Sequence, residues 1–367
     1  MMMSDGAGRK DVVLLAHGGG GLMTRKLIEE VILGELENPI LKRMDDAACI
    51  SIAETELAMT TDSYVIDPVF FPGGDIGYLA VCGTVNDLAM QGAEPRFLSL
   101  ALIIEEGFRI DDLKRIIGSV GKAARSSGVS IVTGDTKVIE RSRRYGGPDA
   151  ALSAMAGGQA GGEWRAGEPG IFLNTTGIGA RLAGVDVSVT NAKPGDVIII
   201  TGTMGDHGMA IMNTREGLKL SSDLASDVQP LWSLIKPVLD AVPDIHCMRD
   251  PTRGGVAAAV CDIARSSGVC IRLSEKSLPV KPEVLGSCSI LGLDPLNVAN
   301  EGKAILVCAE KDLVVVLEIL RAHPAGRESC AIGKVIDAPG GMVLLETTAG
   351  GERIVDVPTG EDLPRIC

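Results

Sequence analysis

The sequence predicts an α/β protein of two domains. Three observations carry that expectation. Its 367 residues exceed the usual size of one domain. Short apolar runs alternate with longer stretches of helical period along the chain. Glycine, at 46 residues, punctuates the junctions, and a 46% hydrophobic content is ample for two cores. We expect the first domain over residues 1–180, the boundary falling in the weakly patterned stretch 176–190. A second follows over 181–346, and residues 347–367 read as a flexible C-terminal tail.

Composition excludes several classes of function. The net charge is −13, with Asp and Glu spread along the chain. Nucleic acid is therefore not an expected partner, because phosphate backbones call for clustered Lys and Arg. Nucleotides stay open, since Mg²⁺ can join phosphates to carboxylates. Residues 12–16 are too short for a signal-peptide core and no apolar run reaches membrane-spanning length, so we expect a cytoplasmic protein without a membrane partner. The nine cysteines are odd in number and contain no Cys-x-x-Cys pair, which fits a reducing compartment.

Taken in order, residues 12–16 predict a short strand, followed by His17 and Gly18, Gly19, Gly20 and Gly21. A helix is expected over 24–36, with Leu27, Ile28, Val31 and Ile32 on one face. Backbone without Cβ approaches phosphate closely and a following helix offers free N–H groups, although a flexible joint explains a glycine run equally well. Nothing fits GxxxxGK[ST], so a P-loop is excluded. Strands are expected at 49–53, 57–61 and 64–66, and a helix over 76–91. A strand at 97–104, a helix over 111–127 and a strand at 130–133 lead to Gly134, Asp135, Thr136 and Lys137. Residues 144–168 read as a loop or insertion, and strands at 171–174, 185–189 and 197–201 follow. In the second half, helices are expected from 209, over 230–241, over 256–267 and over 311–322. Strands are expected at 245–248 and 304–307.

Carboxylates recur where these elements meet. Asp45 and Asp46 precede a strand, Asp62 ends one, Asp87 follows Asn86 within an apolar helix, and Asp135 follows a strand. Asp250 sits before a proline and a helix start. Any one of them fits an ordinary surface or turn acid. Together they suit Mg²⁺, which needs carboxylate oxygens with room left for phosphate and water. The chain closes on Pro364, Arg365, Ile366 and Cys367. A thiol at a terminus adds little to structure and makes sense as a carrier on a tether, with a fortuitous cysteine as the plain alternative. About ten extended residues would span roughly 35 Å.

These residues resemble the HypE family of hydrogenase maturation proteins, within the superfamily of aminoimidazole ribonucleotide synthetase and selenophosphate synthetase. The resemblance covers nearly the whole chain. It rests on His17 with its glycines, on the Asp45-Asp46, Asn86-Asp87 and Gly134-Asp135-Thr136-Lys137 motifs, and on Gly205-Asp206-His207-Gly208. Further along it rests on Asp250-Pro251-Thr252-Arg253-Gly254-Gly255, Asn300-Glu301-Gly302 and the terminal Pro-Arg-Ile-Cys. The segment 144–168 is longer than the family leads us to expect.

The resemblance implies two α/β domains of the α+β kind, each a mainly antiparallel sheet with helices on one face. It implies a homodimer joined through first-domain strands, with ATP between the domains. A HypF-type carbamoyltransferase would load Cys367, ATP would drive dehydration of the carbamoyl group to a thiocyanate, and a HypC–HypD-type iron scaffold would receive the cyanide. It implies metal ligands at Asp45, Asp62, Asp87 and Asp250. ATP contacts are implied at His17, Gly18, Gly19, Gly20, Asp46, Asn86, Gly134, Asp135 and Thr136. Lys137 and Glu301 would act with Cys367 in catalysis, simple phosphate binding being the alternative for Lys137. Two other readings stay open, a selenophosphate synthetase or other small-molecule kinase of the superfamily, and a non-catalytic scaffold whose tail only docks.

Overall fold

The computed structural model describes residues 13, 17, 21–36, 39–140, 169–217, 223–357 and 366–367. The expected glycine contacts at Gly18, Gly19 and Gly20 and the segment 144–168 therefore lie outside the described residues, as does most of the expected strand at 12–16. Helix α1 (Leu22–Leu27) runs on through a π-helical turn, Ile28–Ile32, to Leu33–Leu36.

The first domain is built on β1 (Ala48–Ile52), β2 (Thr55–Tyr64), a small β3 (Phe70–Phe71) and β4 (Gly74–Asp75) hairpin, α2 (Ile76–Met90), β5 (Ala93–Glu105), α3 (Ile110–Ser127), β6 (Ser130–Ile139) and β7 (Ile171–Arg181). Its five-stranded sheet has the order β1-β2-β7-β5-β6. All neighbours are antiparallel except β5 and β6. Asp75 caps α2, its carboxylate accepting from Gly77 N at 2.9 Å and Tyr78 N at 3.0 Å. This helix is buried almost all round. It has a sheet on one side and second-domain helix residues such as Leu234 and Leu239 on the other, so it needs no polar stripe. The opposite face of the sheet is bare, with Met59, Ile178 and Phe97, in register across β2, β7 and β5, exposed by 41%, 38% and 51%.

The second domain comprises β8 (Val197–Ile200), α4 (Asp206–Arg215), α5 (Trp232–Ala241), β9 (Cys247–Arg249), α6 (Gly255–Ser267), β10 (Cys270–Ser274), α7 (Pro282–Leu291), β11 (Ile305–Cys308), α8 (Leu313–Ala322), β12 (Cys330–Ile336), β13 (Met342–Glu346) and β14 (Glu352–Val355). Its seven strands run β14-β13-β10-β12-β8-β11-β9, antiparallel except for β10 beside β13. Here the sheet carries helices on both faces, where one covered face was expected. The reason is legible in β8, whose four residues are all apolar: Ile198 and Ile200 pack under α6, Val197 and Ile199 under α5 and α8. No helix among the described residues is long and apolar enough to cross a membrane.

Three expectations change. Residues 185–189 form no strand. Their valines are buried, but Ser188 N donates to His246 O at 3.2 Å in a loop. Residues 134–137 do not follow β6 but lie inside it, paired with residues 100–103 of β5 just past a register shift. Gly134 is needed there because a Cβ would run into the Leu100 carbonyl. The tail also starts later than residue 347, since β14 pairs with β13. Nor does its end hang free. Ile366 is buried in the first-domain core, with Cys367 packed beside it.

Candidate active site

Five carboxylates from both domains meet between the two sheets. Asp62 lies near the end of β2, Asp87 on α2, Asp46 ahead of β1, Asp250 just after β9 and Glu301 in the turn before β11. Asp46, Asp62 and Asp250 each raise the pKa of others in the group. Burial is the main cause, pushing Asp46 up to about 6 against the pull of Arg249 and holding Asp87, Asp250 and Glu301 well above the carboxylate range. Asp62 is raised for the same reason, although Asp87, Tyr64 and Thr84 hydrogen-bond to it. Thr60 Oγ1 donates to Asp87 Oδ2 at 2.7 Å, and Tyr64 OH to Asp62 Oδ2 at 3.3 Å. Asp46 Oδ2 and Glu301 Oε1 have no hydrogen-bond partner. Among the described residues no three His, Cys, Asp or Glu side chains already form a closed metal cage. A buried group of acids that disfavours its own ionisation is a receptor for cations.

Asp45 and Asp46 are separated by their partners. Asp45 pairs with Arg43 at 3.0 Å and accepts from Ser188 Oγ and Val189 N, so its carboxylate is already engaged outside the group. Asp46 Oδ1 meets Arg249 at 3.2 Å, and Arg249 reaches Asp262 at 3.3 Å. Arg25 of α1 pairs with the same Asp262 at 2.9 Å. Asp46, expected at the nucleotide, thus stands among the acids, and Asp45, expected at the metal, stands apart. A cavity of about 240 Å³ opens beside them, lined in part by Gly21, Thr24, Arg25, Asp46, Asp250 and Arg253. The N-terminus of α6 faces it through Gly255, which has φ +61° and no space for a Cβ against Leu296 and Val298. Arginines beside a helix N-terminus suit phosphate.

The chain's end enters this site. Val65 N donates to Cys367 O at 3.2 Å. The imidazole of His207 bonds Ile366 O through Nε2 and Ser226 Oγ, at 2.7 Å, through Nδ1. Burial lifts the Cys367 thiol to about 12; Arg253 opposes the rise, while Glu301, Asp62 and Asp250 add to it. Arg253 and His207 were not singled out from sequence, although both lie in quoted motifs. A cation among acids and glycines was the available signal for Arg253. His207 offered none beyond its place at a helix start.

Other expected residues lie elsewhere. Asn86 is buried with its amide committed to Gln229 O, Glu301 O and Leu231 N, which leaves none of it for ATP in this arrangement. Asp135 and Lys137 pair with each other at 2.9 Å on the exposed β6. Asp62 is in register with Thr175, Leu100 and Gly134 across successive strands, which puts Gly134 about 14 Å from it within one protomer and residues 135–137 farther off. Thr136 N donates to Asp135 Oδ1. His17 is described only as a half-buried single residue.

Residues 44–160 match the AIR synthase related protein, N-terminal domain, and residues 193–346 its C-terminal domain. The carbamoyl dehydratase HypE of Azotobacter vinelandii is 45% identical over 98% of this chain and 98% of its own. The chain belongs to the HypE family. The Escherichia coli HypE is 42% identical over 97% of this chain and 99% of its own. Among solved structures, a HypE–HypF complex superposes with TM-score 0.79 at 44% identity, over 90% of this chain and 99% of the other. HypE in complex with ATP gives 0.76 at 43%, over 97% and 100%. A thiamine monophosphate kinase from Aquifex aeolicus, at 16% identity over 90% of this chain and 99% of its own, and TM-score 0.62, shares the fold. HypE relatives thus span both domains and the site between them.

Proposed function

We propose that this protein dehydrates a carbamoyl group carried on its own Cys367 to a thiocyanate, at the expense of ATP, for the cyanide ligand of a nickel–iron hydrogenase. The observation that carries the reading is the seat of Cys367, beside Arg253, Glu301, Asp62 and Asp250. An amide oxygen is a feeble nucleophile and oxide a poor leaving group. Transfer of the γ-phosphoryl group to that oxygen makes a C–O bond that can break, and phosphate leaves with the oxygen. Both amide protons must go as the C≡N bond forms. Glu301, buried beside Cys367, takes one of them in its ionised form, and the other leaves with the phosphate. Arg253 offsets the negative charge that gathers at the reacting oxygen and the departing phosphate.

Mg²⁺ fits the acids Asp46, Asp62, Asp87 and Asp250. Asp46 Oδ2 has no hydrogen-bond partner, and Arg249, which meets Asp46 and pulls on Asp250, brings neither back to the ordinary carboxylate range. Bound there, the ion would offset phosphate charge and position the γ-phosphoryl group. Because the carboxylates do not form a closed cage, such an ion keeps sites for phosphate and water.

A HypF-type carbamoyltransferase loads Cys367 and a HypC–HypD-type iron scaffold takes the cyanide. The nine free cysteines suit the cytoplasm. The bare sheet face around Met59, Ile178 and Phe97 supports a homodimer, covered by a second copy. Such a pair would bring Asp135 and Lys137 of one copy towards the acids of the other. The selenophosphate synthetase and scaffold readings lose ground to relatives that are HypE throughout their length.

The test is intact-mass analysis after incubation with carbamoyl phosphate, the transferase and ATP. The tail peptide should gain about 43 Da and then hold about 25 Da, the masses that group transfer to one sulfur requires. Cys367→Ser should gain neither. Modification of any other cysteine would overturn the carrier.

A further inference from the structure

The Gly205-Asp206-His207-Gly208 motif has no part in the reaction as derived above, yet it meets the chain's end. We infer that His207 is a positioning residue that latches the carrier tail in the site by donating Nε2–H to the Ile366 carbonyl, one residue from the reacting sulfur. This rests on the reading of Cys367 as the carrier.

The geometry sets the direction of every bond. His207 is fully buried at the start of α4. Val228 N donates to Ser226 Oγ at 3.1 Å, which leaves the Ser226 hydroxyl hydrogen for His207 Nδ1 at 2.7 Å. That fixes the proton on Nε2, facing a carbonyl that can only accept. Burial lowers the pKa of the ring and keeps it neutral, in agreement with this tautomer. Phe71 meets the ring edge-on, centroids 5.6 Å apart, and holds its plane. Two further contacts complete the seat. Val65 N grips Cys367 O, and the Ile366 side chain packs with core residues including Tyr64, Ile66 and Ile211.

A latch on backbone serves a carrier well. Ile366 O is unchanged whether the sulfur is free, carbamoylated or cyanated, so the same bond seats the tail at each stage. It is also one neutral hydrogen bond, worth little enough to release for a partner.

The test labels the full-length protein with iodoacetamide and follows each cysteine by peptide mass. His207→Asn keeps an acceptor near Ser226 but lacks the reach to Ile366, whereas His207→Gln can place an amide N–H near the lost Nε2. Cys367 should label about threefold to tenfold faster in His207→Asn than in wild type. His207→Gln should stay near wild type, and the partly buried Cys49 and Cys330 should keep their rates in both. Ser226→Ala, at a half-buried site, should raise Cys367 labelling without lowering the melting temperature. On protein already carbamoylated, His207→Asn should slow cyanation by the same factor. Unchanged Cys367 labelling in both His207→Asn and Ser226→Ala, or labelling of His207→Gln as fast as His207→Asn, overturns the latch. Failure of wild type to convert the carbamoyl group would overturn the carrier chemistry instead, and leaves the labelling result standing.

Discussion

The side-chain amide of Asn86 donates to the backbone carbonyl of Glu301 at 3.3 Å, tying α2 of the first domain to the second-domain turn before β11. The same amide donates to Gln229 O at 3.1 Å and accepts from Leu231 N at 2.8 Å. Asn86→Ala should therefore cost about 2–4 kcal/mol of stability, three bonds' worth, with buried backbone groups left unpaired. Urea unfolding measures it. Wild-type stability with ATP affinity lost would return Asn86 to the nucleotide.

The acids of the site repel one another when no cation is present. Asp87→Asn or Asp250→Asn should lower Mg²⁺-dependent ATP turnover by at least about tenfold, while raising the melting temperature in chelator by a few degrees, because an uncompensated buried charge is removed. Turnover at the wild-type rate under limiting Mg²⁺ would rule out these ligands.

The bare face of the first-domain sheet gives a third expectation. Phe97→Asp, at a position 51% exposed in the single chain, should shift the sedimentation of the protein from dimer to monomer. Cyanation should fall with it if Lys137 acts across the pair. An unchanged dimer would place the contact elsewhere.

Tail docking should depend on pH. The Cys367 thiol sits at about 12 when docked, against about 8.5 for a free cysteine. Since the docked pKa is the higher, the seat favours the protonated thiol. Its stabilisation is complete below about pH 8.5 and is lost progressively as pH rises towards 12. Carboxypeptidase should then release Cys367 faster at pH 9.5 than at pH 7.5, after correction by a free peptide of the same sequence. A corrected rate independent of pH would contradict this.

How far the site was legible follows from single residues. Asp62, Asp250 and Cys367 stand near strand ends or at the terminus and Asp87 interrupts an apolar helix, where an unusual residue is visible in the sequence; with Glu301, which the family resemblance supplied, they meet in space. Asp45 and Asp46 could not be told apart, because what separates them is Arg43 on one side and Arg249 on the other, more than 200 residues away from Asp46. Gly134 read as punctuation because a glycine's close approach to Leu100 O depends on a neighbouring strand. The strands β12, β13 and β14 escaped notice for a similar reason. They are short, and their identity lies in pairing across the sheet rather than in their own period.

The ordered strand β14 ends at Val355, twelve positions before Cys367 (367 − 355), so the carrier is leashed to the catalyst by a short chain. A leash of that length keeps its cargo at an effective concentration on the order of millimolar. Conversion of the loaded thiol is then first order and insensitive to protein concentration, and a free carbamoyl thiol in solution would compete only at comparable abundance.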